Sequence, residues 1–147
     1  MTVLLIAVLG GLGAAARFVV DGLVRSRWPR TFPVGTSASG WPTATFVVNL
    51  LGSFLLGALL EGLLRRGPES PRGRLVRLGV GTGVLGGFTT FSSLALEMER
   101  LIADGQAATG LVYGAVSVVL GLVACLLGVA LAARRTIARL PRDPDEA

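Results

Sequence analysis

Thr45, Asn49 and Ser53 recur every fourth residue in a stretch otherwise dominated by valine, leucine and phenylalanine. On a helix that spacing makes one polar strip. Asn49 carries the most chemistry of the three. Its amide presents two donors and an acceptor that lipid cannot satisfy, so a pore or a partner helix must face it. Ser53 alone is explained by an interhelical hydrogen bond, worth about 0.6 kcal/mol. A second group lies in the run Gly79-Val80-Gly81-Thr82-Gly83-Val84-Leu85-Gly86-Gly87-Phe88-Thr89-Thr90-Phe91-Ser92-Ser93. Adjacent glycines followed by hydroxyl residues are poor helix formers, which predicts a helix break near Gly86. A broken turn frees carbonyl oxygens, ligands for a hard cation such as Na⁺, while a half-helix N-terminus offers N–H groups to anions. A glycine-rich packing seam is the alternative reading; it accounts for the glycines but not for Thr89, Thr90, Ser92 and Ser93. Phe91 and Leu94 are three apart and share a face with this segment. The ring edge of Phe91 can meet an anion, although composition alone favours a plain core aromatic. Tyr113 and Ser117 stand one turn apart with Gly121 continuing their face, and Gly114, Gly121 and Gly128 recur every seven residues as a smooth packing surface.

These residues need elements that hold them in lipid. The chain has 147 residues, 52% of them apolar and 16% charged, with a mean hydropathy of +0.69. Soluble domains carry about 25% charge, so this composition reads as an all-α integral membrane protein. Four apolar stretches approach the roughly 20 residues that cross a bilayer. The spans fall at about residues 3–20, 41–64, 78–98 and 108–133, the third broken, within one membrane domain of residues 1–133 followed by a polar tail at 134–147. Trp41-Pro42 opens the second span with an interfacial aromatic and a helix-starting proline. The third is uncharged from Leu78 to Leu96 and the fourth from Gly105 to Ala133. Four spans place both termini on the same side.

The remaining composition narrows the function. Without histidine and with Cys125 as the single cysteine, there is no zinc cluster, no Cys/His nucleophile and no disulfide framework, so the chain does not read as an enzyme. Cys125 reads as an inert buried thiol. The net charge of +5 comes from 14 arginines, which lie between the hydrophobic runs and at the C-terminal end, where topology signals belong and nucleic-acid contacts do not. Arg17 either snorkels to the interface or marks a vestibule. Glu61, near a helix end, snorkels; Glu97 caps the third span's polar face or stands as a boundary acid. With the N-terminus in the cytoplasm, nine loop and tail arginines lie inside and four outside, which favours cytoplasmic termini.

Four motifs in order resemble the Fluc (CrcB) fluoride channels. Gly10-Gly11-Leu12-Gly13-Ala14-Ala15-Ala16-Arg17-Phe18 is similar to the first-helix signature, and Pro42 with Thr45-Phe46-Val47-Val48-Asn49-Leu50-Leu51-Gly52-Ser53-Phe54 to the second. Gly86-Gly87-Phe88-Thr89-Thr90-Phe91-Ser92 with Glu97 resembles the third-helix break, and Tyr113 and Ser117 match the fourth helix in spacing. The resemblance implies a plasma-membrane channel that exports fluoride passively and lowers cytoplasmic fluoride. It implies an antiparallel dimer with two pores along the subunit interface and a structural Na⁺ at its centre. By position, the Gly86 and Thr89 carbonyls bind Na⁺. Asn49, Phe91, Ser92, Thr45, Tyr113 and Ser117 line or support the anion path, and Arg17 sits at a vestibule. Ala44, Phe18 and Leu94 depart from the family pattern; Leu94 replaces the second phenylalanine of the third-helix motif. The partner is then a second copy or an oppositely oriented paralogue supplying the missing ring, in which case this chain can be a non-conducting subunit. A proton-coupled exporter is the rival reading, but it needs a carboxylate in the first span, and Val3 to Val20 contains none. A protein that only packs helices leaves Asn49 unexplained.

Overall fold

The computed structural model describes residues 2–27 and 41–137, which contain helices and no strand. Residues 28–40, most of the expected loop between the first two spans, and the tail from 138 onward lie outside the described residues, as does Met1. In chain order the elements are α1 (Thr2–Arg27), α2 (Thr43–Leu64), α3 (Pro71–Val76), a π-helical stretch (Arg77–Leu85), α4 (Gly86–Phe88), α5 (Phe91–Ala103) and α6 (Ala107–Ile137). Three of them, α1, α2 and α6, are long and apolar enough to cross a membrane. Their membrane-length windows bury only 6%, 17% and 11% of their residues inside the chain, so most of their apolar surface faces outward.

Helix α1 runs seven residues beyond the expected end at 20. Leu23 and Val24 extend its apolar periodicity, and Arg25 pairs with Asp21 one turn earlier at 2.7 Å. Helix α2 starts after Pro42 and ends where Gly67, at φ +85°, turns the chain through the left-handed region. The chain re-enters helix at Ser70, whose Oγ accepts from the Gly73 N–H at 3.1 Å, with Pro71 at the first helical position.

The expectation of a break near Gly86 needs correction. Gly86 is helical (φ −65°, ψ −36°) and the helix continues to Phe88. The chain leaves helical geometry at Thr89 (φ −78°, ψ 158°) and Thr90 (φ −150°, ψ 114°). Contact with α1 explains why the glycines hold. A Cβ on Gly83 would lie 2.9 Å from that of Leu9, one on Gly87 2.1 Å from the Gly10 carbonyl oxygen, and one on Gly13 2.1 Å from that of Val84. The glycines are therefore a packing seam, and tertiary contact outweighs their poor helix propensity. The interruption falls instead on the threonines, whose hydroxyls compete for backbone groups.

Two helix pairs run parallel. Residues 79 to 87 climb past Leu5, Leu9 and Gly10 of α1, and α2 climbs α6 from Ser53 beside Gly121 to Phe54 beside Gly128. The backbone contact at Gly57, whose Cβ would lie 2.2 Å from the Cys125 carbonyl oxygen, locks the second pair. Helix α5 turns back along the start of α6, with Met98 against Gly114. There the buried Leu94, Leu101 and Tyr113 form a core with Trp41, Phe46 and Met98 packed on it. The Trp41 ring meets Tyr113 edge-on at 5.1 Å and Phe46 at 6.0 Å.

Candidate functional site

The interruption at Thr89 and Thr90 is held from α2. The Thr90 N–H donates to Asn49 Oδ1 at 2.8 Å, and Asn49 Nδ2 donates to the Thr90 carbonyl at 3.0 Å. One side chain thus serves both backbone groups of an extended residue, as a neighbouring strand would. The Thr90 hydroxyl caps α5 by accepting from the Ser93 N–H at 3.1 Å, and it donates to Ser93 Oγ at 3.0 Å. Thr89 Oγ1 donates to the Leu85 carbonyl at 2.9 Å, and Gly52 makes room for it: a Cβ there would lie 2.1 Å from Thr89 Cγ2. In an unbroken helix the Thr90 and Ser93 amides would bond the carbonyls of Gly86 and Thr89. Here those donors go to Asn49 and to the Thr90 hydroxyl.

A second polar knot lies one turn toward the start of α2. The Glu97 carboxylate accepts from Thr45 Oγ1 and from the Tyr113 hydroxyl, each at 2.7 Å. Tyr113 is fully buried and Thr45 nearly so. Glu97 is the residue that sequence reasoning left outside the site, as a cap or a boundary acid. Its signal was indirect: two hydroxyls at buried helical positions need an acceptor, and Glu97 follows Ser93 by one turn. The Ser117 hydroxyl, one turn beyond Tyr113 on α6, is buried without a hydrogen-bond partner among the described residues.

Two open cavities flank this polar middle. One, about 410 Å³, is charged: Arg17, Asp21, Arg25, Glu97 and Arg100 line it together with Thr45, Thr90 and Ser93. The other, about 420 Å³, is a shallow concavity on the outer face, where Asn49, Gly86, Thr89, Phe91 and Ser117 meet. Thr90 lines both and stands as their shared wall. Phe91 is 78% exposed beside this concavity, so it is not the plain core aromatic that composition favours; Leu94, three residues on, is 5% exposed and belongs to the core. Ser92 is exposed next to Phe91. Of the residues singled out in the sequence, Arg17 and Thr45 therefore border the charged cavity. Asn49, Gly86, Thr89, Phe91 and Ser117 gather on the concave face, while Tyr113 is enclosed between helices and touches neither. Among the described residues no cluster of histidine, cysteine or acidic side chains is placed to hold a metal, so any cation here would depend on backbone and hydroxyl oxygens.

The chain is similar to known proteins over most of its length. Residues 4–129 match the family described as CrcB-like protein, Camphor Resistance (CrcB). The chain is 42% identical over 132 residues to the fluoride-specific ion channel FluC 2 of Leifsonia xyli subsp. xyli, covering 90% of this chain and 83% of that protein. It is 44% identical over 139 residues to the fluoride-specific ion channel FluC of Caulobacter vibrioides, covering 92% and 97%. To the fluoride-specific ion channel FluC 1 of Streptomyces coelicolor it is 42% identical over 135 residues, covering 92% and 79%.

Proposed function

This chain belongs to the CrcB family of fluoride-specific ion channels, and from that premise we propose that it carries fluoride passively along the polar groups between its two cavities. It is a multi-pass membrane channel and not an enzyme. The observation that carries the route is Thr90, the common wall of the charged vestibule and the concave outer face. Fluoride is small and strongly hydrated, so a selective path replaces its water with donors while avoiding a trap on full positive charge. On the concave face Asn49, after its single bond from Nδ2 to Thr90, keeps a second N–H. The Ser117 hydroxyl is without a hydrogen-bond partner among the described residues, Phe91 exposes its ring, and Ser92, whose hydroxyl lies 3.2 Å from that of Thr90, is exposed beside it. Thr45 and Tyr113 give their protons to Glu97, so their part is to support the path by fixing α2, α5 and α6 around it. Arg17 sits at the vestibule, where it attracts anions from water.

The concave face is half a passage, and an oppositely oriented second copy covers it in an antiparallel dimer with two pores. The segment from 78 to 98 is the third of four spans, divided at Thr89 and Thr90. The Gly86 and Thr89 carbonyls, deprived of their helical donors, would hold a structural Na⁺. Their fit rests on the chemistry of the donors, neutral hard oxygens beside an open face. The ion supplies positive charge there; the chain itself only orients those oxygens. Leu94 fills its own core, which supports a second copy rather than a ring donated by a paralogue. The arginine asymmetry favours cytoplasmic termini and with them the paralogue, the second reading. Fluoride efflux from liposomes holding the purified chain alone supports the homodimer. Efflux that appears only after a paralogue is added assigns this chain to a heterodimer. The exporter reading is not favoured: Asp21, which the longer α1 adds, is bound to Arg25 at the helix end.

A further inference from the structure

At the opposite end of α2 from the charged vestibule, the turn from α2 into α3 lines a cavity of about 900 Å³. It is built rather than loose: Gly67 ends α2 in the left-handed region, and Ser70 with Pro71 restarts the helix. Its walls are of two kinds. Leu60 and Leu64 of α2, Val76 of α3 and Val129 of α6 supply apolar surface, and Leu64 is 74% exposed in the chain. Arg66 and Arg72 supply charge. The other charged groups lining it are already matched, Glu61 by Arg65 and Glu69 by Arg77, the latter at 2.7 Å. Arg66 and Arg72 form no ion pair among the described residues, so the cavity carries two uncompensated positive charges directly beside leucines at the ends of membrane-length helices.

We propose that this cavity binds an anionic phospholipid, with the phosphate between Arg66 and Arg72 and an acyl chain along Leu60, Leu64 and Val129. The chemistry is that of a basic pocket between membrane helices at the headgroup level. A free inorganic anion satisfies the arginines but has no use for the leucines. A lipid of neutral headgroup satisfies the leucines and leaves the two guanidinium charges unmatched. The inference rests on the chain spanning a membrane and is independent of what it conducts.

The test is native mass spectrometry of the full-length chain in neutral detergent, titrated with phosphatidylglycerol or phosphatidylcholine. Wild type is expected to bind phosphatidylglycerol saturably and at least tenfold more tightly than phosphatidylcholine. The exposed double variant Arg66→Gln/Arg72→Gln is expected to lose that preference. The charge-matched control Arg27→Gln/Arg74→Gln, outside the cavity, is expected to keep it. Equal loss in both double variants would reduce the effect to overall charge and overturn the site. Displacement of phosphatidylglycerol by millimolar inorganic phosphate would make it a free-anion site and overturn the lipid.

Discussion

Asn49 is the residue on which the polar middle depends, because it serves both backbone groups of Thr90 and still faces the concave side. Leaving a buried backbone group unpaired costs about 1–3 kcal/mol, so Asn49→Leu is expected to lower stability by about 2–4 kcal/mol. It is also expected to slow fluoride flux at least roughly tenfold, about 1.4 kcal/mol in the barrier. Thermal unfolding in detergent and liposome efflux measure the two, and a variant normal in both would remove Asn49 from the site. Asn49→Asp keeps the acceptor for the Thr90 N–H and loses the donor, so its stability should fall between the two. The Glu97 knot makes a separate prediction. Tyr113→Phe is expected to cost about 1.5–3 kcal/mol alone, the value of a hydrogen bond to a charged group. In a chain already carrying Glu97→Leu the same change should cost markedly less; equal costs in both backgrounds would mean that the bond contributes nothing. Asn49 was legible from the sequence as a residue needing a partner. That its partner is the Thr90 backbone was not, since the pairing joins residues 41 apart.

Among the elements, the segment from Pro71 to Ala103 was the hardest to read. Its glycines signalled both a break and a seam, and propensity cannot separate the two until α1 is in place against them. The hydroxyl run did mark the interruption, three residues later than expected, at Thr89. The seam makes its own prediction. Gly87→Ala drives a methyl group to 2.1 Å from the Gly10 carbonyl oxygen and should separate α1 from α4, with a large fall in unfolding temperature. Gly22→Ala in α1 meets nothing within 4 Å and should be neutral or stabilising by up to about 1 kcal/mol. Equal effects of the two would contradict the seam. In the turn before α3, the hydrogen bond and charge of Arg77 hold the Glu69 carboxyl below its ordinary value. A depressed carboxylate contributes stability above its unfolded value and loses it as pH falls through the folded one. Glu69→Gln should therefore be slightly less stable than wild type near neutral pH, with the difference vanishing as pH falls below the folded value of Glu69.

The whole molecule was legible in outline from hydropathy alone: α1, α2 and α6 answer to three of the four stretches, with α1 extended to Arg27. Topology in the bilayer is a matter of loop charge rather than packing. A tag accessible only from the cytoplasmic side of intact cells is the expected result for cytoplasmic termini, and equal labelling from both sides would mean dual insertion. Selective conduction itself is measured by comparing fluoride with chloride efflux from liposomes reconstituted with the purified chain. Rapid fluoride efflux with chloride largely retained is the expected result. Chloride leaving as fast as fluoride, or fluoride leaving no faster than from protein-free liposomes both with the chain alone and with an oppositely oriented paralogue added, would contradict the assignment of the Thr90 route as a fluoride path.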